Sequence, residues 1–279
     1  MLNGQRTQSA LSLFAVLGLL ILPVSAAEPS PDLARYLGAT WLINTDHPSI
    51  KATSARLVAG KTTDREKAIA IHNFVRDQIA YEFGPKFYDH QASEVLRSGR
   101  GFCNPKGTLF IALLRAAGIP ARQHFVEISP KILHGIVDPG TAWIDHSYTE
   151  VWLEGSWVSV DSYIVDPALF AGARRHLDED GRELGYGIHR HGNLVWDGRS
   201  ANFSQYVSGP ARRAIANRDF GVHEDVRSFY ENTPDASNRM NVQMRTFFRF
   251  ATTTLNARIR QLRHGGRETV PFAPFPHRR

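Results

Sequence analysis

The sequence predicts an α+β fold, with helices first and strands later. Three observations predict it. Thr63-Asp64-Arg65-Glu66 is a capping box opening a run whose apolar residues Ala68, Ile71, Val75 and Ile79 recur at helical spacing. A second apolar run, with Leu109, Phe110, Leu113, Leu114 and Ala117, starts after Gly99 and Gly101 and stops at Gly118 and Pro120. Beyond it the pattern turns to strands over residues 123–128, 146–153 and 157–161.

The first 26 residues read as a cleavable leader. Arg6 precedes an apolar run from Ala10 to Leu22, Pro23 breaks it, and Val24-Ser25-Ala26-Ala27 has the small residues a signal peptidase cuts. The run falls short of the roughly 20 apolar residues a span needs, so a periplasmic or secreted location is expected over an uncleaved anchor. Pro31 opens a short entry helix to about Leu37, and a loop or strand covers residues 41–46. The capping-box helix ends by Gly84-Pro85, and a short helix spans residues 92–97. Past residue 170, residues 181–192 read as loop, 210–216 and 224–231 as helical, and 244–262 as a helix with Phe247, Phe248, Ala251, Leu255, Ile259 and Leu262 near one face. The expected organisation is a leader over 1–26, a main domain over 27–170, a mainly helical extension packed on it over 171–264, and a loose basic tail over 265–279.

The 279 residues carry a formal charge of +6. Arg6 and six arginines between Arg258 and Arg279 hold nearly all of it, so the body is close to neutral. That excludes a nucleic-acid enzyme as the first expectation and leaves the tail as a possible contact with an anionic envelope surface. The arginine-bearing helix over 244–262 also fits an interfacial helix, but the same pattern fits a helix packed on the core, which is preferred.

Cys103 is the only cysteine, so it forms no internal disulfide. At the start of a helix, unpaired N–H groups and the dipole favour an anion, which suits a thiolate; a cysteine also packs well as a small apolar residue. Position and uniqueness leave the two readings even. Residues 146–161 read as a β-hairpin turning at Glu154-Gly155, which sets Trp152 opposite Trp157, Glu150 opposite Ser159, Tyr148 opposite Asp161 and His146 opposite Tyr163. Alternation then puts His146 and Asp161 on one face as diagonal neighbours. An aspartate there can orient the imidazole that takes the thiol proton, though a structural histidine opposite an acid is equally common.

Together these pieces resemble the transglutaminase-like superfamily: Gly101-Phe102-Cys103 opening an apolar helix, Leu113 to Arg122, His146-Ser147-Tyr148-Thr149-Glu150-Val151-Trp152, Trp157 to Asp161, and upstream Glu66 to Tyr81. The resemblance covers about residues 40–170. It implies a papain-like core with the nucleophile helix packed on an antiparallel sheet, with Cys103 as nucleophile, His146 as base and later acid, and Asp161 as orienter. It implies acyl transfer from a peptide or amide through a thioester, as protease, amidase or transamidase, with a peptide or protein as substrate. The alternative is a non-catalytic envelope binding module on the same fold. No cofactor is expected, and no metal: His189 and His191, one residue apart without further acids or cysteines, are a weak ligand pattern. The calcium sites and flanking β-domains of animal transglutaminases are not evident. Tyr81 and Gln91 are candidate oxyanion donors beside the Cys103 N–H, and Trp143, Trp152 and Trp157 are read as core over cleft lining.

Overall fold

The computed structural model describes residues 1, 31–206, 216–236, 239 and 242–265. The expected leader, the tail beyond Gly265 and most of the helix expected over 210–216 lie outside these. Among the described residues no helix is long and apolar enough to cross a membrane.

In chain order the elements are α1 (Pro31–Ala34), α2 (Pro48–Val58), α3 (Asp64–Gln78), β1 (Ala80–Tyr81), α4 (Ala92–Ser98), β2 (Arg100–Gly101) and α5 (Cys103–Ala116). Then follow β3 (Ala121–Ile128), a 3-10 turn (Pro130–Leu133), β4 (Ile144–Leu153), β5 (Ser156–Val160) and α6 (Pro167–Asp180). The short pair β6 (Leu184–Gly185) and β7 (Ile188–His189), then β8 (Ala216–His223), α7 (Val226–Asn232) and α8 (Val242–Arg263), complete it. The main sheet is antiparallel, in the order β5-β4-β3-β8. The fold is α+β, as the sequence predicts.

α5 is the hub. Every residue from Cys103 to Arg115 is buried, as expected for a helix apolar on nearly all sides. It lies between the sheet and helices α2, α3 and α4. Several of its polar groups find partners: Arg115 donates to the Ala121 carbonyl at 3.0 and 2.9 Å, and Leu113 O accepts from Ser54 Oγ of α2 at 2.8 Å. Lys106, fully buried, donates through Nζ to Ile79 O at 2.6 Å.

The capping box of α3 is present, with Thr63 Oγ1 accepting from Glu66 N and Glu66 Oε2 accepting from Thr63 N. The hairpin register is the one expected, with Leu153 opposite Ser156, Trp152 opposite Trp157 and Glu150 opposite Ser159. Glu154 and Gly155 have φ of 50° and 85°, the two left-handed residues of a type I′ turn. The ladder ends at Thr149 and Val160, so Tyr148 and His146 do not pair with Asp161 and Tyr163. The Tyr163 hydroxyl bonds Thr149 Oγ1 at 2.8 Å instead.

The chain beyond residue 170 is built into the core. β8 extends the sheet at β3, an addition the sequence reading did not anticipate. α8 packs along α6 at Gly172, where a Cβ would stand 2.0 Å from Leu262 O. Arg258 donates to Ile136 O at 2.8 Å, Arg260 to Glu82 at 3.1 Å and Arg263 to Asp166 at 3.0 and 2.8 Å. Half of the arginines that made the end of the chain look like a free basic tail are therefore tied to the body.

Gly172→Ala is expected to cost about 1–3 kcal/mol, because a helix backbone rather than a flexible side chain must move. Denaturant midpoints of the two proteins measure it. Burial pushes the Lys106 pKa down to about 7, with Asp166 pulling it up and Arg263 down. The unfolded chain takes up this proton near the ordinary lysine value of about 10.4. Between the two values the unfolded state binds more protons, so this group lowers stability as pH falls through that window. Lys106→Met is expected to show a flatter stability profile from neutral pH to about pH 10, read by urea titrations across that range.

Candidate active site

Cys103 is the first residue of α5, after Phe102 in the extended N-cap position. The parallel pairing of β1 with β2 fixes the approach of the chain to this helix end. Cys103 is buried, at 9% exposure, and lines a cleft. Its side chain lies close enough to that of His146, which lines the same cleft, to raise the pKa of the ring. The thiol also lies 3.8 Å from Asn104 Oδ1. Asn104 Oδ1 accepts from Ser147 Oγ at 2.7 Å, and Ser147 Oγ from Gln123 Nε2 at 2.8 Å. This buried chain ties the first turn of α5 to β4 and β3.

His146 Nε2 lies 3.2 Å from Asp161 Oδ2, so the structure brings Cys103, His146 and Asp161 together in that order. Asp161 is fully buried, just past the end of β5. A buried carboxylate is costly unless its lone pairs are filled. Here residues 202–206 fill them. Ser204 N and Ser204 Oγ donate to Oδ1 at 2.5 and 3.1 Å, Gln205 N donates at 3.2 Å, and Tyr206 N donates to Oδ2 at 2.8 Å. The segment is held alongside β5 by a parallel bridge between Val160 and Asn202. The Tyr206 ring stacks near His146, at 6.4 Å between centroids and 25° between planes.

Burial by itself would push the His146 pKa down; the Asp161 and Cys103 contacts outweigh it and raise the pKa above the ordinary histidine range. The ring is therefore a proton donor at neutral pH. Next to Asp161, His72 Nε2 bonds Ser162 Oγ at 2.8 Å, and burial lowers the His72 pKa to about 4, which keeps that ring neutral. His72 sits on α3 and docks that helix against the loop carrying Asp161.

Of the candidate oxyanion side chains, Tyr81 lines the cleft, as does Gln205. Gln91 does not line it: its Nε2 donates to Trp41 O at 2.9 Å, at the start of α4. Trp152 and Trp157 pack edge to face on the hairpin, 5.4 Å between centroids, away from the cleft.

Residues 51–162 match the model of the transglutaminase-like superfamily. They form a transglutaminase-like domain. An uncharacterized protein of Haemophilus influenzae is 31% identical over 179 residues, 57% of this chain and 47% of that protein. A solved structure described as a candidate cysteine protease of Cytophaga hutchinsonii aligns at 20% identity and TM-score 0.41, over 52% of this chain and 46% of that one. A candidate protease of Parabacteroides distasonis aligns at 18% identity and TM-score 0.32, over 46% of this chain and 25% of that one. These alignments span half or less of the length of each relative.

The sequence reading missed the Ser204-Gln205-Tyr206 support of Asp161 and the His72 contact. Short polar loop residues carry no periodic signal, and a main-chain N–H has no residue signature. The one available signal was His72 inside an otherwise apolar face of α3. Asp161→Asn places an amide N–H₂ among donors that need an acceptor. It is expected to destabilise the protein by about 1–3 kcal/mol and to lower the His146 pKa. An NMR titration of the imidazole against the parent checks the second effect.

Proposed function

We propose that this domain carries out thiol-dependent acyl transfer on a peptide or amide substrate, with Cys103 as nucleophile, His146 as acid and base, and Asp161 as orienter. The observation that carries the reading is the sharing of one cleft by the Cys103 thiol and the His146 ring, with Asp161 Oδ2 3.2 Å behind that ring. The raised His146 pKa supplies an imidazolium beside the sulfur. The sulfur attacks the amide carbonyl and forms a C–S bond. The tetrahedral oxyanion is met by the Cys103 N–H. His146 gives its proton to the leaving amine as the C–N bond breaks. Water or an amine then attacks the thioester, and His146 takes its proton while the sulfur leaves as thiolate. Asp161 keeps the ring turned so that one nitrogen faces the sulfur throughout. The leader-like first residues put this reaction in the periplasm or outside the cell.

Incubation with a peptide library and an amine donor, followed by mass spectrometry of products and of Cys103, tests the reading. The parent protein is expected to give an acyl adduct on Cys103 and turnover. Cys103→Ala is expected to abolish both, and His146→Ala to reduce turnover by at least about 100-fold. Activity should persist through neutral pH and fall on the alkaline side only above the ordinary histidine range, as His146 loses the proton it donates. Full turnover by Cys103→Ala would reject the reading.

A further inference from the structure

The cleft that holds Cys103 and His146 is asymmetric in chemistry. Its polar groups, Tyr81, Asp145 and Gln205, sit with the thiol and imidazole, and the rest of its lining is apolar. One wall is aromatic. Phe102, the residue before the nucleophile, packs against Phe83 at 5.0 Å and Phe87 at 4.7 Å between centroids. Phe87 in turn stacks on Phe248 of α8 at 4.0 Å, which fixes the wall from behind. The opposite wall is aliphatic, from Ile128 at the end of β3, Ile132 and Leu133 in the 3-10 turn, and Ile144 at the start of β4. No lysine or arginine lines the cleft.

We propose that this cleft selects an acyl donor whose side chain next to the reacting carbonyl is apolar, aliphatic or aromatic, and rejects anionic side chains at that position. The inference rests on the acyl-transfer reading above. The occupant is set by chemistry and position. An acyl group reaching the Cys103 sulfur meets this lining, and an anionic side chain held there loses its water without gaining a counter-charge from Lys or Arg. An apolar side chain instead removes its own surface and that of Phe102, Ile132 and Leu133 from water. The polar groups at the reacting end remain for the amide itself.

Peptidyl fluoromethyl ketones that differ only in the side chain beside the ketone test this, with iodoacetamide as a small alkylator that needs neither wall. Rates of Cys103 modification are read by intact-mass spectrometry. Leucine and phenylalanine probes are expected to label at least about ten-fold faster than an aspartate probe, within the range apolar pockets discriminate. Leu133→Asp lies at the cleft edge and is only partly buried. It is expected to bring the leucine and phenylalanine rates down to that of the aspartate probe, each rate being taken relative to the variant's own iodoacetamide rate. Equal labelling by all probes, or faster labelling by the aspartate one, overturns the proposal and leaves the acyl-transfer reading standing. A Cys103 inert to every electrophile, iodoacetamide included, overturns both.

Discussion

The buried carboxylate of Asp161 is the constraint around which this structure is arranged. An ionised carboxyl group taken out of water is unstable until its lone pairs are occupied, and removing a partner from a buried charge costs more than the pair gained. Asp161 meets that demand with the main-chain N–H groups of Ser204, Gln205 and Tyr206, the Ser204 hydroxyl and the His146 ring. These donors come from a segment more than forty residues downstream and from the neighbouring strand. The carboxylate is thus the point where hairpin and C-terminal half become one structure. Main-chain donors suit this role because they have no rotamers to lose and do not titrate.

The same requirement explains the other buried polar groups around α5. A helix buried on all sides has no face on which to leave its polar residues, so its charged and amide side chains are answered by the body of the protein. Arg115 is answered by the Ala121 carbonyl, Lys106 by the Ile79 carbonyl and Asn104 by Ser147. These contacts fix the rotation of α5 about its axis, which apolar packing alone specifies weakly. Rotation is what decides whether Cys103 faces His146. The polar contacts are costly for stability and useful for direction, and the depressed Lys106 pKa is a measure of that cost.

What was legible in the sequence were features written in local chemistry. The capping box named the start of α3, the Glu154-Gly155 pair named the hairpin turn, and alternation put His146 and Asp161 on one face before any coordinates. The α+β class followed from where the periodicity changed. Besides the two-residue strands β1, β2, β6 and β7, the last two of which lie in the stretch read as loop, three longer elements were not legible. α2 has Pro48 at its start but an apolar stripe broken by Lys51, Thr53 and Ser54, the last of which turns inward to bond α5. α6 has a clear Asp166 cap, yet its contact face is built around Gly172, which single-residue propensity counts against a helix. β8 carries Asn217, Arg218, Asp219 and Gly221, a poor strand composition, and is a strand because β3 offers it an open edge. In each case tertiary contact overrode local preference, which no window of sequence contains. Two of the residues proposed for the site, Cys103 and Asp161, were legible for the opposite reason: each sits at an element boundary, the start of α5 and the end of β5.

The C-terminal half joins the cleft at two separate places, and they act on different properties. Through residues 204–206 it holds Asp161, and so governs the tautomer, direction and charge of His146. Through α8 it supplies Phe248, which stacks on Phe87 and sets the depth of the wall beside Cys103. α8 is in turn anchored by Arg258 on Ile136, just beyond the 3-10 turn of the opposite wall, and by Arg260 and Arg263 on Glu82 and Asp166, which flank the aromatic side. One helix therefore braces both walls at once. Asp166 adds a link, since its Oδ2 accepts from Tyr81 N while its Oδ1 caps α6. A displacement of α8 reaches the shape of the cleft through Phe87 and Phe102 without touching the carboxylate cradle, and a change in the 204–206 loop reaches the imidazole without altering the aromatic wall. Chemistry and selectivity are mechanically separable here, although both depend on the same half of the chain.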